Sequence, residues 1–183
     1  MKVMLFVPPG GYFAERWSHG TMMPALGLSY IAAVLERDGV EVELVPSHVL
    51  GLSFRDVARK IESERPDVVG ITTTTENRFQ SFKLASAAKE AYPPAFVVLG
   101  GPHLKNTGAD TLTHVPDVDA VVQGEGEETM RELCRALAAK SGLGAVNGLV
   151  WRDGAAVRSN PPRFLLPDLN TLPLPARHLE PWA

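Results

Sequence analysis

Residues 68–101, VVGITTTTENRFQSFKLASAAKEAYPPAFVVLGG, decide the fold. Val68-Val69-Gly70-Ile71-Thr72 is a short apolar run that leads into Thr73-Thr74-Thr75. From about Phe79 to Tyr92 the residues Phe82, Leu84, Ala85 and Ala88 recur at helical spacing. Pro93-Pro94 ends that helix, because proline lacks the N–H the helix needs and its ring clashes with the preceding turn. A second apolar run, Phe96 to Leu99, follows and stops at Gly100-Gly101. Strand, helix and strand in this order form the repeating unit of a parallel sheet with helices on its faces.

The same grammar extends in both directions. Lys2 to Val7 reads as the first strand and Glu41 to Val45 as the second. Between them a helix from about Ala25 to Asp38 opens after Pro24, stops at Gly39 and carries Leu28, Ile31, Ala32 and Leu35 on one face. Ser53 is placed to cap a helix over Phe54 to Glu64, with Asp56 near its positive end and Val57 and Ile61 turned to the core. Pro66-Asp67 closes that unit. Ala120 to Gln123 is the fifth strand, and Glu128 to Lys140 the last helix. The expectation is therefore an α/β fold: a doubly wound, five-stranded parallel sheet, Rossmann-like with flavodoxin-type strand order. After Gly148, Leu149 to Arg152, Asp153-Gly154 and Ala156 to Arg158 predict a β-hairpin, and the tail from Asn160 is proline-rich like a linker. The expected division is a main domain over residues 1–142 and a hairpin with linker over 143–183.

Whole-chain properties remove several classes of function. A length of 183 residues suits one core with an appendage. Eighteen Lys and Arg against 21 Asp and Glu give a net charge of -3, which supplies no basic field for nucleic acid and no polybasic membrane patch. Pro8-Pro9-Gly10-Gly11 ends the first apolar run far short of a signal peptide or membrane span, so a cytoplasmic location is expected. Cys134 is the single cysteine, which rules out an internal disulfide or a thiolate cluster built from this chain alone. His19, His48, His103, His114 and His178 are scattered, with no helical pair at ligand spacing, so no metal site is expected.

In open α/β sheets a ligand sits beyond the carboxyl ends of the strands, which singles out the loops after strands one, three, four and five. The first of these lacks the Gly-x-Gly-x-x-Gly spacing that fits a dinucleotide pyrophosphate. A phosphate-receiver site would need carboxylates where this chain has Pro8-Pro9 and Thr72-Thr73. What the loops offer is close backbone approach at Gly100, Gly101, Gly124 and Gly126, and small hydroxyls from Thr72 to Thr75. Such a crevice suits a large, flat, amide-fringed ligand with a polar tail. Each feature also has a plain structural use: the glycines as tight strand ends, Thr72 to Thr75 as strand continuation, and the glutamates as partners of a helix dipole. Tyr12, Phe13 and Trp17 could cover a ligand or simply pack their own loop.

Two runs, Val98-Leu99-Gly100-Gly101-Pro102-His103 and Val122-Gln123-Gly124-Glu125-Gly126-Glu127, occur in that order with Asp117-Val118-Asp119 between them. Together with Pro8-Pro9, the stretch Pro24 to Ala32 and Asp67 to Ile71, they resemble the N-terminal cobalamin-binding domain of cobalamin-dependent radical S-adenosylmethionine enzymes. The tail fits too, since Asn147-Gly148-Leu149, Asn160-Pro161-Pro162, Asp168-Leu169-Asn170 and Leu172 to Pro175 are similar to the bridge those enzymes place before their radical domain. The resemblance implies cobalamin bound base-off, with its nucleotide tail displaced into the domain. It implies no histidine on cobalt, because Ser18-His19-Gly20 lacks the Asp-x-His-x-x-Gly run of other cobalamin domains. It assigns Gly100, Gly101, Pro102 and His103 to a loop lining the corrin or tail, and Thr72, Thr73, Thr74 and Thr75 to tail hydrogen bonds. Gly124, Glu125, Gly126 and Glu127 form the opposite wall, while Pro8, Pro9 and Gly10 face the ring. No catalytic residue is assigned. The iron–sulfur cluster and S-adenosylmethionine are expected only in a radical domain of the same full-length chain, with methyl transfer or ring formation as the reaction. Two alternatives stay open: a free-standing cobalamin carrier or sensor, and another small-molecule enzyme on this fold using Glu125 or His103 as acid or base.

Overall fold

The computed structural model describes residues 1–10 and 25–181. The readings made on Tyr12, Phe13, Trp17, Ser18-His19-Gly20 and Pro24 lie outside the described residues. The elements follow in the order β1 (Lys2–Val7), α1 (Leu26–Arg37), β2 (Glu41–Pro46), α2 (Phe54–Glu64), β3 (Val68–Thr72), α3 (Arg78–Ala91) and β4 (Phe96–Gly100). Then come α4 (Gly108–His114), β5 (Ala120–Val122), α5 (Gly126–Ala138), β6 (Leu149–Asp153) and β7 (Ala156–Ser159). No described helix is long and apolar enough to cross a membrane.

The first five strands pair in parallel in the order β2-β1-β3-β4-β5, which is the flavodoxin-type arrangement expected from the sequence. Alternation along each strand sends one set of side chains to each face. Val3, Leu5, Val68, Val98, Ala120 and Val122 pack with Leu28, Ala32 and Leu35 of α1 and with Met130 and Leu133 of α5. Met4, Phe6, Val69, Ile71, Val97 and Leu99 pack on the other face against Val57 and Ile61 of α2, Leu84 and Ala88 of α3, and Leu112 of α4. Ser53 caps α2 in a reciprocal box: its hydroxyl accepts from the Asp56 amide at 3.2 Å, and the Asp56 carboxylate accepts from the Ser53 amide at 2.9 Å.

Two features differ from the sequence reading. The hairpin is part of the main sheet, because β6 pairs antiparallel with β5 through Ala120↔Trp151, Val121↔Val150 and Val122↔Leu149. The sheet accordingly has seven strands among the described residues, and β5 gains a partner for backbone groups that an edge would leave open. A helix, α4, also occupies what reads in the sequence as a plain connecting segment. Its seven residues start at Gly108 and carry too few apolar positions to announce a period. Arg152 of β6 secures it from outside. Its guanidinium donates to the Leu112 carbonyl, to Val118 O at 2.8 Å and to Val115 O at 3.0 Å, satisfying acceptors around the helix end that have no intrahelical partner.

The tail after Asn160 returns across the α1 and α5 face. Asn160 donates to Leu143 O at 2.8 Å and Val146 O at 2.9 Å, and Arg163 donates to Thr129 Oγ1 at 2.7 Å. Further on, the Ala176 amide donates to Ser29 O at 2.9 Å and the Ser29 hydroxyl donates to Glu180 Oε1 at 2.5 Å.

Replacing Arg152 by Ala removes the donor from the Leu112 and Val118 carbonyls, while Val115 O keeps the Val118 amide, and is expected to cost about 2 kcal/mol, a fall in Tm of roughly 4–8 °C for a chain of this size. Arg152→Lys recovers less than half of the loss, since one ammonium cannot reproduce the planar fork. Thermal melts followed by circular dichroism test both values.

Candidate functional site

Strand order reverses between β1 and β3, and the carboxyl ends of β1, β3, β4 and β5 converge there. On the α1 and α5 face above them lies a cavity of about 470 Å³. Its floor is Leu5, Val7, Val98 and Val122, interrupted by Gly70 and Gly100, where side chains are missing. Leu5 pairs with Gly70 and Gly70 with Val98, so the bare position lies in the middle of the sheet. A Cβ at Gly70 would come within 2.6 Å of Leu5 Cδ2, which means Leu5 already leans into the space. A Cβ at Gly100 would meet nothing nearer than Val122 Cβ at 3.8 Å, so that space is open to a ligand. The start of α1 supplies one wall through Leu26 and Ile31, and α5 supplies the other through Gly126 and Met130. Ile31 Cδ1 lies 2.9 Å from where a Gly126 Cβ would be, so the glycine lets the two helices close over the trough.

The loops at the rim are held by their own backbones. Gly101 has φ 110°, and a Cβ there would lie 2.6 Å from Thr73 O and 2.9 Å from Thr73 N. The Thr73 amide donates to Gly100 O at 2.7 Å and the His103 amide donates to Thr73 O at 3.3 Å, stitching the loop after β4 to the loop after β3. Thr74 and Asn77 hold each other reciprocally: the Thr74 amide donates to Asn77 Oδ1 at 2.7 Å and the Asn77 amide donates to Thr74 Oγ1 at 3.3 Å.

Of the residues singled out in the sequence, Thr72, Thr74, Gly100, Gly101, Pro102, Gly124, Glu125, Gly126 and Glu127 line the cavity together. Thr73 is wholly buried and its hydroxyl has no partner. Thr75 and His103 face each other away from the lining, with Thr75 Oγ1 3.2 Å from His103 Nδ1. Pro8 and Pro9 are buried after β1, and Gly10 is exposed at φ 70°; none of the three belongs to the lining. The cavity adds residues the sequence reading passed over: His48, Asn77 and the start of α1 at Ala25 to Leu28. His48 had a signal, since β2 is parallel to β1 and ends at the same edge.

The electrostatic features gather at the start of α5. Glu127 is 9% exposed, lines the cavity beside Met130 one turn on, and leaves Oε2 without a partner among the described residues. Burial pushes its carboxyl above the ordinary carboxylate range, and the charges of Glu125 and Glu128 push the same way. Desolvation lowers the imidazole of His48. Burial drives the Cys134 thiol up to about 12, which makes it an inert core residue. Among the described residues no group of three or more His, Cys, Asp or Glu could hold a metal ion. What the arrangement can do is receive a flat apolar ring with a few polar atoms; the described lining presents no paired nucleophile and base.

The family model of the B12 binding domain matches residues 18–134. An uncharacterized methyltransferase, PH0819 of Pyrococcus horikoshii, is 38% identical over 181 residues, covering 99% of this chain and 39% of that protein. The anaerobic magnesium-protoporphyrin IX monomethyl ester cyclase of Rubrivivax gelatinosus is 33% identical over 135 residues, covering 73% of this chain and 24% of its own length. The solved structure of the cobalamin-dependent S-adenosylmethionine radical enzyme OxsB, with aqua-cobalamin and S-adenosylmethionine bound, superposes with a TM-score of 0.76 at 18% identity, over 96% of this chain and 24% of that one. The chain thus spans well under half the length of each of these proteins.

Gly101→Ala combines an unfavourable φ with two backbone contacts that cannot yield, and is expected to cost roughly 2–5 kcal/mol in urea unfolding. Glu127 gives a second, pH-dependent expectation. The folded chain holds its proton more tightly than the unfolded chain, so stability falls as pH rises from the ordinary value of 4.5 through the raised one. Glu127→Gln should therefore raise the Tm at pH 8, and the gain should vanish below pH 4. Melts of both proteins across that range measure it.

Proposed function

Because the chain belongs to the B12 binding domain family, we propose that it holds cobalamin at the carboxyl edge of its sheet, as the cofactor module of a radical S-adenosylmethionine methyltransferase or cyclase. The observation that carries this reading is the trough between α1 and α5, whose floor is left open at Gly100. At about 470 Å³ it has the size of a site for a drug-sized ligand, which suits the nucleotide tail better than a whole cobalamin. The nucleotide tail is the part that enters, and the corrin lies across the rim formed by the loops after β3, β4 and β5.

The residues fit that division. The apolar floor of Leu5, Val98 and Val122 takes the faces of a benzimidazole ring, and the glycines let it approach the sheet. Gly101 and Pro102 present backbone at the rim. Tail insertion means base-off binding, and the sequence after β1 has no Asp-x-His-x-x-Gly run to supply a replacement ligand to cobalt. Cobalamin would supply a cobalt centre able to carry a methyl group; this chain's part is to orient it. The iron–sulfur cluster and S-adenosylmethionine belong, on this proposal, to a radical domain in the same polypeptide, in keeping with the greater length of the relatives. The names of those relatives, a methyltransferase and a cyclase, favour the module over a free-standing carrier or sensor.

Titration of the purified chain with hydroxocobalamin, followed by gel filtration and visible spectroscopy, tests the proposal. Co-elution of about one corrinoid per chain with a tail-displaced spectrum is expected. Gly100→Leu, which fills the floor without striking backbone, should keep the fold and weaken binding at least about tenfold. A folded wild-type chain that elutes free of corrinoid, or a Gly100→Leu chain that binds as well as wild type, contradicts the proposal.

A further inference from the structure

Glu127 is out of place in an apolar cavity. It sits in the first turn of a 13-residue helix, 9% exposed, with one carboxyl oxygen that has no partner among the described residues. An unpartnered buried carboxyl oxygen is costly, and the cost is recovered when a ligand supplies the missing hydrogen bond. Among the described residues no cation is paired with that oxygen. Glu125 and Glu128, on the same turn, are carboxylates too, and Arg131 is engaged with Glu128 through a terminal nitrogen while its buried Nε has no partner there. Arg163, from the tail, is engaged with Glu132. The lining contributed by α1 and by the strands is apolar or uncharged, and His48, from the loop after β2, is the remaining titratable group among the described residues of the cavity.

The inference rests on the cobalamin reading and deepens it. When the tail leaves cobalt, the ring nitrogen that had been its ligand becomes a free hydrogen-bond acceptor. Buried without a donor, that nitrogen would oppose base-off binding. We propose that Glu127 recognises this freed nitrogen: its side chain turns toward the ring, and the carboxyl and the ring base share one proton. Glu127 is then a specificity-determining residue for the tail base and makes no contact with the corrin. The raised proton affinity of the carboxyl suits the role, because the donor must carry a proton where the ring does not. Binding takes up one proton whenever Glu127 starts ionised and the ring neutral, so affinity falls as pH rises through the range in which the free carboxyl ionises.

The test uses the full chain with methylcobalamin and with methylcobinamide, which has the same corrin and upper methyl group but no nucleotide tail. Binding is read by equilibrium dialysis and by the visible spectrum between pH 5.5 and 9. Glu127→Ala should lose about tenfold or more for methylcobalamin and less than about twofold for methylcobinamide. Glu127→Gln, whose amide can donate to the same nitrogen, should stay within about threefold of wild type and lose the pH dependence. Equal losses for both corrinoids, no loss in Glu127→Ala, or an unchanged pH profile in Glu127→Gln would overturn the inference and leave the cobalamin reading standing. A folded wild-type chain that binds neither corrinoid overturns both.

Discussion

The contact between Gly101 and Thr73 leaves no room for a side chain, since a Cβ would stand 2.6 Å from the threonine carbonyl oxygen. Around it the Thr73 amide bonds back to Gly100 and the His103 amide bonds forward to Thr73. These contacts join the loops after β3 and β4 into one rigid rim at the point where strand order reverses. The rim sets the mouth of the cavity, and bare glycine positions behind it set the floor. The helices complete the enclosure only because Gly126 lets Ile31 approach α5 closely. Missing side chains thus shape the site in two ways: Gly70, Gly101 and Gly126 let neighbours pack closely, and Gly100 leaves the floor open.

What could be read in the sequence was the part governed by local rules. β1 and α2 lie where the apolar pattern places them, and Ser53 caps α2 as its position before Phe54 implies. The runs around Gly100 and Gly124 could be picked out because glycine at the end of a parallel strand has few other uses. What was hidden depends on contacts distant in sequence. Nothing near Leu149 says that β6 pairs with β5, and nothing near Gly108 says that Arg152 will hold a seven-residue helix. The tail looks like a linker because its prolines forbid regular structure, yet Ala176 and Glu180 dock on Ser29 of α1. Among the site residues, His48 and Asn77 carry no motif and enter the cavity only through the topology. Glu127 could be read as a favourable charge at a helix start, but burial makes it something else, and no sequence pattern reports burial of a single glutamate.

The division of labour follows from size. On the proposed binding mode, a cavity of about 470 Å³ takes the nucleotide tail, and the corrin rests on the rim with its far face turned away from the sheet. The far face would then be free to meet chemistry supplied from elsewhere, in keeping with the greater lengths of the relatives. On this proposal the domain orients and selects the tail-displaced cofactor.

The claim that the tail enters between α1 and α5 is tested most directly by amide chemical-shift mapping of the isotopically labelled chain with and without methylcobalamin. The account predicts large shifts at Gly70, Thr72, Thr74, Gly101, Gly124 and Glu127, and little change at Val57, Leu84 and Leu112 on the opposite face. Shifts confined to the rim, with Gly70 unmoved, would contradict it, because the cofactor would then lie on the sheet's edge with its tail outside.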